Sequence, residues 1–172
     1  MRPPETEYPA YYHRYVAALG DVDLAVILRT QVQAIESLGA MMNDDDALFR
    51  YAEGKWSIKE VLGHLIDCER VFAYRAMCIA RGEVQPLPGF DENAYVANAA
   101  FDARSLRSLV EEFTSVRSAT ITLMDSMASS VMQRSGTANG NPITVRALLW
   151  IIAGHTEHHL RVLRERYTCP SG

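Results

Sequence analysis

The chain has 172 residues, of which 48% are hydrophobic and 22% are charged, and its formal net charge is −4. These values are ordinary for one globular domain, and they exclude a disordered tail, a collagen-like fibre and a low-complexity protein. Because the chain has no basic excess, nucleic-acid binding lacks its usual electrostatic driving force, and we expect no nucleic-acid partner.

The cysteines and the N-terminus indicate a cellular location. Cys68, Cys78 and Cys169 form an odd set without CxxC spacing, which argues against a disulfide framework or a zinc ribbon and favours a reducing compartment. The polar, proline-rich N-terminus is followed by no apolar run typical of a signal peptide. No uncharged apolar stretch reaches ~18 residues. We therefore expect a cytoplasmic protein with no membrane partner.

Hydrophobic periodicity predicts a single domain, 1–172, made of four long helices. Residues 1–20 are rich in proline and tyrosine and are expected to form an arm that lies on the body. The first long helix is predicted over 22–42, where apolar residues recur at three- and four-residue steps, and Asp21 is its expected N-cap.

The second long helix has the clearest start in the chain. Ser57 and Glu60 have the spacing of a capping box, and the helix is expected to run to Arg81 and to end at Gly82. The loop that follows contains prolines, and a short helical turn is predicted over 91–97.

The third long helix is predicted over 103–127 with Asp102 as its cap. A polar, glycine-rich segment follows, and Asn139-Gly140 is a strong turn signal within it. Residues 131–134 are expected to pair with Ile143 in a small hairpin.

The fourth long helix is predicted from Thr144, as its N-cap, to Tyr167. Four long amphipathic helices argue for an all-α four-helix bundle. The segment 82–101 is long for a connection between neighbouring helices, and such loops are often functional.

The histidines are the strongest indication of chemistry. His155 and His159 lie about 40° apart on one helix face. Leu148 and Ile152 share that face, so both imidazoles are expected to point into the bundle. Two imidazoles at this spacing commonly bind one metal ion. His158 lies about 60° to the other side and is expected at the rim, or as a partner of a ligand.

His64 also faces inward, in line with Val61 and Cys68. If the second and fourth helices are neighbours, His64 can meet His155 and His159. Three neutral imidazoles that leave an open position are a recurrent catalytic metal arrangement. The alternative is a set of core histidines satisfied by hydrogen bonds, without a metal. For Cys68 the simplest interpretation is a small buried hydrophobic residue.

Two carboxylates and one arginine lie close to this face. Asp67 and Glu60 are within about 60° of His64, and either could orient an imidazole N–H. For Glu60 the capping role is favoured, and Asp67 could equally pair with Arg70. Arg75, about three turns beyond His64, could receive an anionic substrate group or form a surface ion pair.

Two segments carry a resemblance to a known family. The first is KWSIKEVLGHLID at 55–67, continued by ERVFAYR at 69–75. The second is TVRALL at 144–149, which leads into GHTEHHL at 154–160. Between them, PGFDEN at 88–93 looks like the family's connecting loop. In these motifs, their order and their separation, the chain resembles the DinB/YfiT-like superfamily of helical-bundle metalloproteins over most of its length.

The resemblance implies a four-helix bundle with one divalent metal ion on His64, His155 and His159, and it implies a homodimer. Characterised relatives include thiol-dependent transferases and isomerases that use low-molecular-weight thiols such as bacillithiol or mycothiol. Many members have no known activity and are named for damage- or stress-inducible expression. All four of zinc, nickel, iron and manganese accept imidazole ligands. Zinc or nickel is the ion expected first, and iron or manganese is possible.

The resulting hypothesis is a metal-dependent S-transferase-type enzyme, in which the ion activates a thiol that attacks an electrophile. A water in the same position would support hydrolysis instead. Asp67 is the candidate catalytic base, and a small-molecule thiol and an electrophilic substrate are the expected partners. The alternative is a non-catalytic metal-binding stress-response protein or small-ligand sensor, which predicts the same metal without turnover.

Overall fold

A computed structural model describes residues 1–167 of the chain. Cys169 and the last part of the predicted 1–172 domain lie outside the described residues. Within them, the chain forms helices and one hairpin with these bounds: α1 His13–Ala18, α2 Leu24–Ala40, α3 Ile58–Ala80, α4 Glu92–Ala99, α5 Leu106–Asp125, β1 Ser135–Ala138, β2 Asn141–Thr144 and α6 Val145–Arg166.

The four long helices form the predicted bundle. Helix α3 packs against α5 and α6, and α2 packs against the same two helices. The arm contains α1, which lies along α6, and α4 lies in the long connection between α3 and α5. The prediction of an all-α four-helix bundle with long loops is confirmed, and the hairpin β1–β2 is added to it. No helix of the described chain is both long enough and apolar enough to cross a membrane.

Local side-chain chemistry explains where the helices begin. The capping box at α3 is present in full: Ser57 accepts from the Glu60 backbone N–H, and the Glu60 carboxylate accepts from the Ser57 backbone N–H. Thr144 caps α6 by accepting from the Ala147 N–H. Gly82 follows α3 with φ of +92°, a left-handed conformation that glycine adopts without steric cost. These three predictions are confirmed.

Two predicted caps are wrong. Asp21 does not cap α2; Asp23, directly before the first helical residue, accepts from the N–H groups of the first turn. Asp102 does not cap α5, because its carboxylate accepts the Ser57 hydroxyl. Ser105, in an extended conformation, is the N-cap of α5 instead. In both cases the cap is the polar residue immediately before the helix.

The hairpin forms with a register different from the predicted one. Asn139 and Gly140 have φ of +50° and +74°, the left-handed pair that a two-residue hairpin turn requires. Such a turn places Ala138 opposite Asn141 and therefore Gly136 opposite Ile143. The prediction that 131–134 pairs with Ile143 is wrong, because the turn at Asn139-Gly140 makes Gly136 the partner of Ile143.

A buried polar network fixes the four long helices relative to one another. Arg117 of α5 donates to both carboxylate oxygens of Glu69 on α3, at 2.8 Å each. The same guanidinium donates to the Gln31 side chain on α2 and to the Thr156 hydroxyl on α6, each at 2.9 Å. A bidentate arginine–carboxylate pair is geometrically demanding, so it fixes α5 on α3, and the Thr156 hydrogen bond ties α6 to the same guanidinium.

Two hydrophobic clusters make up the core, and they meet along α3 and α6. One contains the apolar residues of 145–153 together with the arm and the hairpin. The other contains Leu160 and Leu163 with the first half of α3 and much of α5. The segment 155–159 lies between these clusters on α6, so polar side chains there face the bundle without belonging to either cluster.

Candidate metal centre

Three histidines from two helices converge inside the bundle. His64 comes from α3, and His155 and His159 come from successive turns of α6. One nitrogen from each ring can be chosen so that all three lie within 4.8 Å of one another. The Nε2 atoms of His64 and His155 are 3.0 Å apart. The convergence predicted from the helix faces is therefore present in the structure.

Close backbone packing sets the position of these helices. A Cβ at Gly154 would lie 2.2 Å from the carbonyl oxygen of Tyr15, so α1 rests directly on the α6 backbone beside His155. A Cβ at Gly63 would lie 2.4 Å from the Phe101 ring, next to His64. Only glycine permits both approaches. The residue adjacent to each of these two histidines thus lets another element close over the centre.

Burial keeps the three imidazoles neutral. His64 and His155 are 5% and 6% exposed. Burial lowers the pKa of His64 to about 4 and is the largest cause that lowers the pKa of His159 to about 3. Burial, followed by the neighbouring His159 and His64, holds the pKa of His155 well below its usual 6.5. Neutral imidazole is the form that binds metal ions.

The donor set fits a divalent transition metal ion. Two nitrogens on one tetrahedral ion at ~2.0–2.1 Å are about 3.3 Å apart, close to the 3.0 Å between His64 and His155. A hydrogen bond between these two rings would leave His159 with no hydrogen bond in the described part of the chain. One ion would engage all three rings. Three neutral nitrogen ligands suit zinc, nickel or iron better than magnesium or calcium.

The histidines form one end of a cavity of about 350 Å³, a volume typical of small-molecule sites. Aromatic rings flank the centre: the Trp56 ring lies 4.6 Å from the His64 ring at a tilt of 44°, and Tyr15 and Phe72 lie edge-on to His155 at 5.2 and 6.2 Å. The lining also includes these residues of the arm, α4 and the hairpin: Pro9, Tyr11, Tyr12, Arg14, Glu92, Ala138, Asn139 and Asn141.

A second cavity, of about 320 Å³, is lined by one of the three histidines, His159. Trp56, His158 and His159 line both cavities. His158 is half-buried and lies edge-on to His159 at 5.1 Å, which agrees with the predicted place at the rim. The histidine group therefore borders a second space through His159.

The structure places the other candidates apart from the histidine nitrogens. Asp67 pairs with Arg70 at 3.7 Å and is absent from the residues that line the two cavities at the centre. Burial raises the pKa of Asp67, and its role as a catalytic base stays a prediction. Glu60 is engaged in the capping box and with Arg50. Among residues 1–167, neither carboxylate is hydrogen-bonded to His64.

Cys68 and Arg75 both line the larger cavity. Cys68 is buried, and its sulfur lies 3.5 Å from Nδ1 of His64. Burial strongly raises the pKa of the Cys68 thiol, which disfavours its thiolate. Arg75 is not a surface residue, since only 3% of it is exposed.

Sequence reasoning missed the contribution of the arm. The arm was expected to lie on the body, but Pro9, Tyr12 and Tyr15 form part of the cavity wall. The concentration of tyrosines before residue 16 was the available signal, because aromatic side chains are common in the lining of ligand sites. No periodicity could indicate which helix the arm would meet.

Comparisons with known proteins agree with this fold. A family model of the DinB superfamily matches residues 27–163. Among solved structures, the chain is similar to YfiT from Bacillus subtilis, described as a probable metal-dependent hydrolase with an unusual four-helix bundle topology. The TM-score is 0.71 and the identity 17%, over 96% of this chain and 90% of that one. A search of curated proteins found no match. The family match covers most of the bundle and all three histidines, and the chain belongs to the DinB superfamily.

Proposed function

We propose that this protein is a metal-dependent enzyme of the thiol S-transferase type. The observation that carries the proposal is the meeting of three neutral histidines, two buried and one half-buried, at a cavity that all three line. A divalent ion on neutral imidazoles lowers the pKa of a bound thiol or water and so supplies a nucleophile at neutral pH. His64, His155 and His159 would hold that ion.

The cysteine beside the histidine centre, Cys68, does not fit the role of nucleophile. Cys68 is buried, and its raised pKa keeps it protonated at neutral pH, whereas the thiolate is the reactive form. The nucleophile is therefore an external thiol or a water. Because His159 lines both cavities, a thiol and an electrophile can occupy separate spaces beside the centre, and this favours transfer over hydrolysis.

The aromatic walls would orient the reactants and exclude water. Trp56 lines both cavities and contacts the His64 ring, while Tyr15 and Phe72 flank His155. Apolar rings around a charged centre strengthen its electrostatic effect by lowering the local dielectric. Hydrolysis, the activity ascribed to YfiT, would use the same centre with water in place of the thiol.

The test is a coupled binding and turnover measurement on protein reconstituted with zinc or nickel. Cysteine or glutathione is the thiol and monochlorobimane the electrophile. The thiolate sulfur forms the new C–S bond, the C–Cl bond breaks, chloride leaves and the thiol proton goes to the buffer. We expect conjugate to form faster than without protein, and His155→Ala to return the rate to the uncatalysed one.

The matched control is His13→Ala, which removes an exposed histidine of the arm and is expected to keep the full rate. Hydrolysis of activated esters without any thiol conjugation would replace the transferase proposal by a hydrolase. Stoichiometric metal with neither reaction would instead support the non-catalytic alternative, a metal-binding stress-response protein or sensor.

A further inference from the structure

Arg75 is a buried cation that the protein leaves without an anion. It lies on α3, and 3% of it is exposed. Within residues 1–167, no carboxylate oxygen lies within 4.0 Å of its guanidinium, and its one hydrogen bond within the protein runs from Nη2 to the carbonyl oxygen of Pro88, at 2.6 Å. A guanidinium has five N–H donors, so most of its hydrogen-bonding capacity is unused.

The other buried arginine shows how this fold treats a structural guanidinium. Arg117 donates five hydrogen bonds, among them two to the carboxylate of Glu69. Removing a cation from water is costly unless it is paired and hydrogen-bonded. Arg117 meets that requirement entirely within the protein, whereas Arg75 does not.

The surroundings of Arg75 hold its side chain in place without neutralising it. The guanidinium carbon lies 5.8 Å from the Phe72 ring and 5.6 Å from the Phe90 ring, within the range of cation–π attraction. Together with the Pro88 bond, these contacts orient a planar fork of donors on a residue that lines the larger cavity. Such a fork matches the geometry of a carboxylate or phosphate.

The distance from Arg75 to the metal centre suits a small molecule. Phe72 lies 5.8 Å from the guanidinium and 6.2 Å from the His155 ring. These two distances place the guanidinium no more than about 12 Å from that ring, and both groups line one cavity. A ligand of several bonds can therefore reach both.

We propose that Arg75 is the receptor for an anionic group, a carboxylate first and a phosphate or sulfonate by the same chemistry, on the molecule that reacts at the histidine centre. That this molecule is the substrate rests on the proposed function, whereas binding of the anion does not. Arg75 is then a specificity-determining residue: it selects reactants with an acidic group away from the reacting atom.

One acidic side chain in the same cavity opposes this binding. Glu92, half-buried at the start of α4, also lines the cavity, and its negative charge repels an incoming carboxylate. Arg14 at the cavity mouth adds a second cation, held by the Tyr11 and Tyr15 hydroxyls at 2.8 Å each. The two cations outnumber the one carboxylate in this lining, so anion binding is favoured overall.

The experiment compares 3-phenylpropanoate with 3-phenylpropanamide, which have the same shape and differ in charge. Binding is measured by calorimetry on the metal-free and the zinc-loaded protein. The metal-free arm is decisive because zinc can itself bind a carboxylate. We expect the carboxylate to bind about tenfold or more tightly than the amide, and Arg75→Met to remove that preference while amide binding persists.

Three further variants complete the test. Arg81→Met removes an exposed charge at the end of the same helix and is expected to keep the preference. Arg75→Lys keeps the charge without the planar fork and is expected to retain part of it. Glu92→Gln is expected to strengthen carboxylate binding without affecting the amide, a result that does not depend on the folding of the Arg75 variants.

Equal binding of carboxylate and amide to the wild-type protein would overturn the proposal. An undiminished carboxylate preference in Arg75→Met would overturn it as well, and so would an equal change in the affinities of both ligands in Glu92→Gln. Failure of the proposed function has a different signature, namely the carboxylate preference without turnover at the metal centre.

Discussion

The substitution Gly154→Ala tests whether the arm is docked rigidly against the metal centre. The added methyl group would lie 2.2 Å from the Tyr15 carbonyl oxygen, 2.5 Å from its carbonyl carbon and 3.0 Å from its Cβ. Two of these atoms are backbone, so no change of rotamer relieves the contact. Either α1 moves away from α6 or the helix shifts, and both displace the Tyr15 ring from His155.

The magnitude follows from two opposing effects. Alanine favours a helix interior over glycine by about 1 kcal/mol, while overpacking against a fixed neighbour costs about 1–3 kcal/mol. Displacement of α1 would also expose Tyr15 and Val16, both buried, at about 1.5–3 kcal/mol for each fully exposed side chain. We expect a net loss of about 1–3 kcal/mol, which lowers Tm by roughly 2–10 °C in a domain of this size.

Gly39→Ala is the matched control, because it makes the same change inside α2. There the new methyl group would meet one methyl group of the Val110 side chain at 2.7 Å and no backbone atom, and the helix preference of alanine offsets part of that cost, so Tm is expected to fall less than in Gly154→Ala. Thermal unfolding gives the first reading. Tryptic cleavage after Arg14 gives the second, since an undocked arm is cut faster. Equal Tm and equal cleavage in the two variants would refute rigid docking.

Two further predictions concern stability, the first measured by urea titration. Arg117→Met is expected to lower the free energy of unfolding by about 3–5 kcal/mol, because it leaves the Glu69 carboxylate buried and unpaired. The control Arg107→Met, at an exposed ion pair, should change that free energy by less than about 1 kcal/mol, and similar losses in the two variants would contradict the role of the network. The second prediction concerns the metal-free protein, whose free energy of unfolding should be highest above pH 6.5 and fall as the pH drops toward about 4, the folded-state pKa of His64. In that pH range His64 is protonated in the unfolded chain but stays neutral in the folded chain, so lower pH favours unfolding. Between pH 7 and pH 5, where most carboxylates remain ionised, the free energy of unfolding should change less steeply with pH in His64→Gln than in the wild-type protein. An unchanged slope would contradict the effect of burial on His64.

The sequence was sufficient where short-range chemistry decides the outcome. The α3 capping box, the Thr144 cap and the Asn139-Gly140 turn each depend on residues within a few positions of one another. The histidine faces also follow from helical periodicity alone, once the helices exist. The inward direction of His64 and His155 could therefore be predicted before their meeting was visible.

Features that depend on tertiary packing could not be predicted in the same way. Aspartate is a common helix cap, but the Asp102 carboxylate accepts a hydrogen bond from the hydroxyl of Ser57, 45 positions earlier in the chain. From the sequence, Arg75 could receive an anionic group or form a surface ion pair, and only its packing with Phe72 and Phe90 shows that it is buried. Likewise, no local pattern pairs Arg117 with a carboxylate on another helix.

The measurement that tests the central claim most directly is the metal content of the purified native protein, by elemental analysis. The same measurement is made on the double variant His64→Ala/His155→Ala and on His13→Ala. Close to one divalent ion per chain is expected in the native protein and in the His13 control, and none in the double variant. A native protein that holds no ion, even after incubation with zinc or nickel, would contradict the metal centre, and the proposed enzyme activity would fall with it.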